Sequence, residues 1–416
     1  WGDDFQPDHL SSSVTSFPEV VMPSAGLMLI ALLAGWLLYV RKKPLAPVTL
    51  IGFLGLLGLI GLGYANPTIG VSRDGWPSFK VWIWILMVYA YAASVLPVWL
   101  LLQARDFLNS LLLVMGLILM YIGFFLQGPV FDAPAVNPNP TGAPPIFPFV
   151  FITIACGAAS GFHSLVSSGT TARQLDCETH ARPIGYGGMI AESLLGLIAV
   201  LACTTTLGGK EAWAQAYVNW GAVQSLGAKL GIFIRGAASF IAELGIHPDL
   251  AVTLVAMVVV SFALTTLDSA TRLLRFNIEE ISQSYGRLRF LANRFLATAL
   301  ACASILFFAF YEIDGKPAGL ALWTLFGGTN QLMAGLALLT GAVYLRQRGR
   351  LHWPLTLPAV YMLVNTMIAL GLKTRDFIRQ GEWLLLGLTL LLMGIGAGVI
   401  LSLRGRWSHA ILDSSR

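Results

Sequence analysis

Long apolar stretches separated by short polar links recur along the chain from about residue 21 to residue 403. Crossing a hydrocarbon core takes roughly 20 apolar residues in a helix. Eleven stretches meet that need, at 21–40, 46–64, 81–102, 107–127, 147–167, 184–204, 250–274, 290–310, 318–345, 354–372 and 383–403. Each is therefore predicted to be a membrane-spanning helix. The stretch 217–246 is different, because it is Gly-rich and carries Lys229 and Arg235. It reads as one or two interfacial or re-entrant helices.

Composition agrees with this pattern. The 416 residues are 56% hydrophobic and 11% charged, where a soluble chain carries about 25% charged residues. The fold class is all-α polytopic membrane protein, with residues 1–416 forming a single transmembrane domain and a lipid bilayer as its surroundings. Basic residues favour the cytoplasmic side of spans. With the first residues outside, 17 of the 26 Lys and Arg fall on inner loops. That orientation makes 128–146, which holds no Lys or Arg, an outer loop, 205–249 an outer segment and 404–416 a cytoplasmic tail. It also explains the net charge of +5 without nucleic acid. Cys156, Cys177, Cys203 and Cys302 read as free thiols, and no signal peptide is recognisable at the start.

Polar groups inside apolar spans mark candidate chemistry, because burying them in hydrocarbon is costly. The densest set lies at 155–171. There Gly157, Gly161 and Gly169 weaken the helix, and Ser160, Ser164, Ser167, Ser168, Thr170 and Thr171 surround His163. Taken singly, the small residues suit helix packing; taken together, they suggest a substrate site. Glu192 lies about 12 Å into its span at 1.5 Å per residue. It is either a structural partner for an Arg or a carboxylate that binds a proton or cation. Ser261, Thr265, Asp268 and Arg272 share one helical face, with Thr266 and Ser269 beside it. Asp268 can pair with Arg272 at i,i+4, and the hydroxyls can ligate a hard cation such as sodium. Gly327 to Gln331 interrupt another apolar run, and Asn330 and Gln331 serve equally well as substrate contacts or as interhelical glue.

Other chemistries find little support. Cys177 and His180 have no second ligand pair, which argues against zinc. There is no GxxxxGK[ST] phosphate loop and no facing pair of membrane histidines for haem. The expectation is a non-enzyme without cofactor or metal. A membrane sensor or structural subunit without transport is the alternative, although the chain carries no recognisable output domain.

Four blocks, in order, closely resemble the carbon starvation protein (CstA) family of bacterial and archaeal inner-membrane proteins. They are residues 91–110 (YAASVLPVWLLLQARDFLNS), 151–193 (FITIACGAAS to IAES), 259–276 (VVSFALTTLDSATRLLRF) and 321–338 (LWTLFGGTNQLMAGLALL). The resemblance implies a LeuT-like (APC-type) inverted-repeat helical bundle. It also implies an ion-coupled secondary transporter that imports short peptides or pyruvate by alternating access when carbon is scarce. On that reading the substrate site comprises Gly157, Ser160, Gly161, His163, Ser164, Ser167, Ser168, Thr170, Asn330 and Gln331. Glu192, Ser261, Thr265, Thr266 and Asp268 couple the ion, H+ or Na+. Relatives carry several spans between a stretch like WGDDFQP and one like SSSVTSFPEVV, so this chain is expected to lack its N-terminal helices.

Overall fold

The structure is a computed structural model and describes residues 17–68, 77–137, 140–220, 226–313 and 316–413. The N-terminal WGDDFQPDHL, the outer-loop Arg73 and the terminal Arg416 lie outside these residues. Internal packing divides the chain into two compact units, residues 1–143 with 185–310 and residues 144–184 with 311–416.

The first unit contains α1 (Val21–Gly35), α2 (Leu45–Ala65), α3 (Phe79–Val95) and α4 (Leu102–Gln127). Two shorter helices follow in chain order, α5 (Phe151–Ala158) and α6 (Gly161–Val166), both in the second unit. The chain returns through α7 (Ala181–Thr205), and the first unit is completed by α8 (Lys210–Ala216), α9 (Leu226–Ala242), α10 (Pro248–Ser284) and α11 (Arg294–Phe310). The second unit ends with α12 (Ala318–Gln347), α13 (Trp353–Gln380) and α14 (Trp383–Asp413), preceded by a two-residue antiparallel pairing of Glu312–Ile313 with Lys316–Pro317.

Small residues set how closely these helices approach. Gly123 of α4 lies so near the Phe240 backbone of α9 that a Cβ would overlap it, and Gly35 stands in the same relation to the Leu100 carbonyl. Around these approaches Leu56, Leu112, Met120, Phe240 and Met257 form the sealed core of the first unit. Among the described residues of the segment 217–246, α9 places Ile234, Ala237 and Ile241 inside that core and leaves Arg235 exposed. In the second unit Leu325, Phe377 and Leu385 join α12, α13 and α14.

The eleven expected spans all fall on helices, with altered bounds. Among the described residues, eight helical segments are long and apolar enough to cross a membrane, or nine when the pair Gly286–Ala292 and Arg294–Phe310, bent by 88°, counts as one. The expected span 81–102 ends at Val95, because α3 has only 17 residues, and α4 begins at Leu102 rather than at 107. The polar run at 327–331 lies within a continuous helix, as the single expected span 318–345 requires: α12 has 30 residues. Its Gly327 and Gly328 admit Ile152 of α5 and Leu370 of α13. The expected tail from 404 continues α14 as helix to Asp413.

Candidate functional site

In the second unit, the polar stretch at 155–171 is a broken span. α5 stops at Ala158, Ala159 and Ser160 are extended, and α6 restarts at Gly161. Such a break frees backbone groups that hydrocarbon cannot solvate. Two residues of α12 take them up. Asn330 Oδ1 accepts from the Phe162 N–H at 2.8 Å and from Ser160 Oγ at 3.2 Å, and its Nδ2 donates to Cys156 Sγ at 3.0 Å. Gln331 Nε2 donates to the Ala159 carbonyl at 3.4 Å. Both side chains are buried. These bonds join α12 to the break between α5 and α6.

The remaining members of the expected substrate set lie around this break. Ser160 also caps α6 by accepting from the His163 N–H at 3.4 Å. Gly161 is buried against the Asn330 and Ala334 backbone, leaving no room for a Cβ, whereas Gly157 has open space beside it. His163 is exposed, with its ring 5.9 Å from that of Phe162. Ser164 and Ser168 donate to carbonyls one turn back, Gly161 O at 2.6 Å and Ser164 O at 3.0 Å. Ser167 is exposed, and the buried Thr170 hydroxyl has no hydrogen-bond partner among the described residues.

The expected ion-coupling residues lie in the first unit. Ser261, Thr265 and Asp268 do share a face of α10, but the partner of Asp268 is not Arg272. Asp268 pairs with Arg105 of α4; both are buried, and Tyr89 of α3 donates to the same carboxylate oxygen at 2.6 Å. Arg105 also donates to the Tyr89 hydroxyl, and to Thr265 Oγ1 at 3.0 Å. Asn109, one turn along α4, donates to Thr265 Oγ1 at 3.3 Å. Asp106 lies 3.3 Å from the Thr265 hydroxyl and 3.6 Å from Arg105 Nη2. Arg272 is buried, and its guanidinium donates to the Ala93 and Leu96 carbonyls at the end of α3. A cation suits that position, because the last carbonyls of a helix lack backbone donors and carry the negative end of its dipole. Arg275 is also buried and lies 3.6 Å from Glu279.

Two members of the set stand apart from this network. Thr266 is exposed and bonds its own helix at Phe262 O, 3.0 Å away. Glu192 is exposed on α7, a helix with few buried side chains. Arg105, Asp106, Asn109 and Tyr89 are not among the sequence-derived site residues. The signal is present in QARDFLNS, where an Arg–Asp pair is followed by an Asn at i+4 of the Arg. Starting that span at 107 rather than at Leu102 leaves Arg105 and Asp106 in an inner loop and hides it.

The model of the carbon starvation protein CstA family matches residues 10–215 and 212–369. The chain belongs to that family. It is 34% identical to the peptide transporter CstA of Campylobacter jejuni over 68% of this chain and 47% of the relative. It is 32% identical to the peptide transporter CstA of Escherichia coli over 69% of this chain and 48% of the relative. Against the pyruvate/proton symporter BtsT of Escherichia coli the identity is 31%, over 69% of this chain and 50% of the relative. The chain thus spans about half the length of the relatives it matches. No solved structure matches it.

Proposed function

We propose that this chain belongs to an ion-coupled importer of small carbon compounds, short peptides or a monocarboxylate such as pyruvate. It would sit in a cytoplasmic membrane with its C-terminus inside and work by alternating access in a LeuT-like inverted-repeat bundle, in response to carbon starvation. The observation that carries this reading is the broken span at Ala159–Ser160. A helix interrupted within the membrane and restarted by a capped Ser is a costly arrangement, and in secondary transporters such breaks hold substrate. Family membership and the names of the relatives support the same class.

On this reading the substrate carboxylate binds at the α5–α6 break. Its donors are the hydroxyls of Ser160, Ser164, Ser167, Ser168 and Thr170, with His163 beside them. Gly157 leaves open space beside the backbone and Gly161 lets α6 pack on α12, while Asn330 and Gln331 complete the substrate set from α12. Coupling is assigned to Glu192 and to the α10 face of Ser261, Thr265, Thr266 and Asp268. No cofactor takes part. A carboxylate at mid-span costs roughly 2.5–3.5 kcal/mol on insertion scales, which supports a place for Glu192 beside water or another protein group.

The test is uptake of labelled pyruvate and of a labelled dipeptide into proteoliposomes, under an imposed proton gradient and then a sodium gradient. Accumulation of either above equilibrium supports the proposal and identifies the substrate class. Binding of either probe without accumulation under any gradient would instead favour a sensor.

A further inference from the structure

The first unit contains a charge arrangement that the assignment above uses only in part. One guanidinium serves two carboxylates. Arg105 pairs with Asp268 through Nη1, and its Nη2 lies 3.6 Å from Asp106. Within this trio one negative charge is surplus, answered only at longer range by Arg272, which the α3 carbonyls hold. The surroundings are also under-satisfied. Asp268 Oδ1, Asn109 Oδ1 and Arg105 Nε are all buried and have no hydrogen-bond partner among the described residues. Asp268, Asn109 and Arg105 are 0%, 2% and 1% exposed, while the Asp106 side chain is 40% exposed. Asp106 is therefore the carboxylate that can exchange a proton with its surroundings, and Asp268 the one that is sealed.

Thr265 links the two. Its Oγ1 accepts from Arg105 Nη2 and from Asn109 Nδ2, which uses both lone pairs. It has one proton and two acceptors within reach, Asp106 Oδ1 at 3.3 Å and the Ser261 carbonyl at 3.0 Å. A hydroxyl can serve only one of these at a time. With Asp106 ionised, donation to the carboxylate is favoured; with Asp106 protonated, the hydroxyl turns to Ser261. The protonation state of α4 is thereby passed to α10.

We infer that Asp106 is the proton-binding carboxylate of this transporter, with Thr265 as a two-position relay and Arg105 shared between Asp106 and Asp268. The inference deepens the transport reading above and rests on it for the word transporter. A proton fits where a metal cation does not. A hard cation needs several oxygen ligands, and the guanidinium already fills the space between the carboxylates. A second cation beside Arg105 would be repelled at low dielectric. A proton adds to an oxygen of Asp106, cancels the surplus charge and leaves again as H+. The other charged or titratable groups facing the cluster are Tyr89 of α3 and, one turn further along α10, Arg272, which is held by the α3 carbonyls.

The test is infrared difference spectroscopy of the purified protein in nanodiscs between acidic and neutral buffer. The expected result is a protonated-carboxyl band that Asp106→Asn lacks and Asp268→Asn keeps. Thr265→Val should move the pH midpoint of the band upward, by removing a donor to the ionised form, and Thr265→Ser should restore it. A band that survives Asp106→Asn, or that sodium removes at constant pH, overturns the inference. If Asp106→Asn does not fold, the Thr265→Val and Thr265→Ser pair decides, and an unmoved midpoint counts against the relay. In proteoliposomes, proton-driven accumulation of pyruvate or dipeptide should fall by about tenfold or more in Asp106→Asn, within the usual range of coupling. Undiminished accumulation overturns the coupling role. If the unaltered protein accumulates neither probe, the transport reading fails, and the infrared titration still decides whether Asp106 binds the proton.

Discussion

Arg105 and Asp268, 163 positions apart in sequence, form a sealed ion pair that ties α4 to α10, with the Tyr89 hydroxyl donating to the same carboxylate oxygen at 2.6 Å. Removing Arg105 leaves Asp268 as an uncompensated sealed charge, whereas removing Asp268 leaves Arg105 with Asp106 at 3.6 Å. Arg105→Met alone should cost about 3–5 kcal/mol, and Asp268→Leu less. The double substitution should cost clearly less than the sum, because no sealed charge is stranded and the remaining Asp106 is part-exposed. Denaturant or thermal unfolding in detergent of the two singles and the double measures this, and additive losses would contradict it.

Asn330 should tolerate replacement by Asp better than by Leu. Its Oδ1 accepts from Phe162 N–H and Ser160 Oγ, while Nδ2 donates only to Cys156 Sγ. Asn330→Asp would keep the two acceptor contacts, whereas Asn330→Leu strands a backbone N–H at a cost of about 1–3 kcal/mol. Amide hydrogen exchange at 160–163 should quicken in Asn330→Leu and change much less in Asn330→Asp.

The two glycines beside the break should respond in opposite directions. Gly157 lies in α5 with nothing within 4 Å of a built Cβ, so Gly157→Ala should stabilise by up to about 1 kcal/mol. Gly161→Ala would push a methyl into the Asn330 carbonyl and the Ala334 backbone, and should lower the melting temperature or abolish folding. Equal effects of the two substitutions would show that α6 does not pack on α12 as described.

Cys177 should be the fastest of the four thiols to react with a membrane-impermeant maleimide. It is exposed, Cys302 is buried, and Cys156 and Cys203 are intermediate. Hydrogen bonds to the Thr179 side chain and backbone lower its pKa from the ordinary thiol range. More thiolate is therefore present near neutral pH, and the rate should begin to rise at lower pH than for a free cysteine. Thr179→Val should slow the reaction. Labelling only after the inner face is opened would support the proposed orientation; labelling from outside intact cells would reverse it.

Glu192→Gln should lower gradient-driven accumulation by about tenfold, or about 1.4 kcal/mol, at unchanged protein level in the membrane. Normal coupling in that variant would take Glu192 out of the proton pathway.

The alternation of apolar stretch and polar link was sufficient to locate helices at all eleven stretches, eight or nine of them long and apolar enough among the described residues to cross a membrane, because crossing hydrocarbon demands about 20 apolar residues whatever the neighbours are. The polar density at 155–171 was likewise enough to locate a broken span, since helix-weakening glycines and hydroxyls cluster there. Which polar groups meet was not legible. Asp268 and Arg272 stand one turn apart, and local spacing favours their pairing, yet Arg105 reaches Asp268 first and Arg272 turns to the end of α3. Likewise, the polar run at Gly327 to Gln331 does not disclose its partners in sequence: α12 runs through it and bonds Asn330 and Gln331 to the break in another span. Entry into the membrane is a property of each segment, because it depends on the transfer of that segment from water, and so it can be read along the chain. Which buried charge answers which is a property of the packed helices, because a low-dielectric interior lets a distant partner with better geometry outcompete a near one.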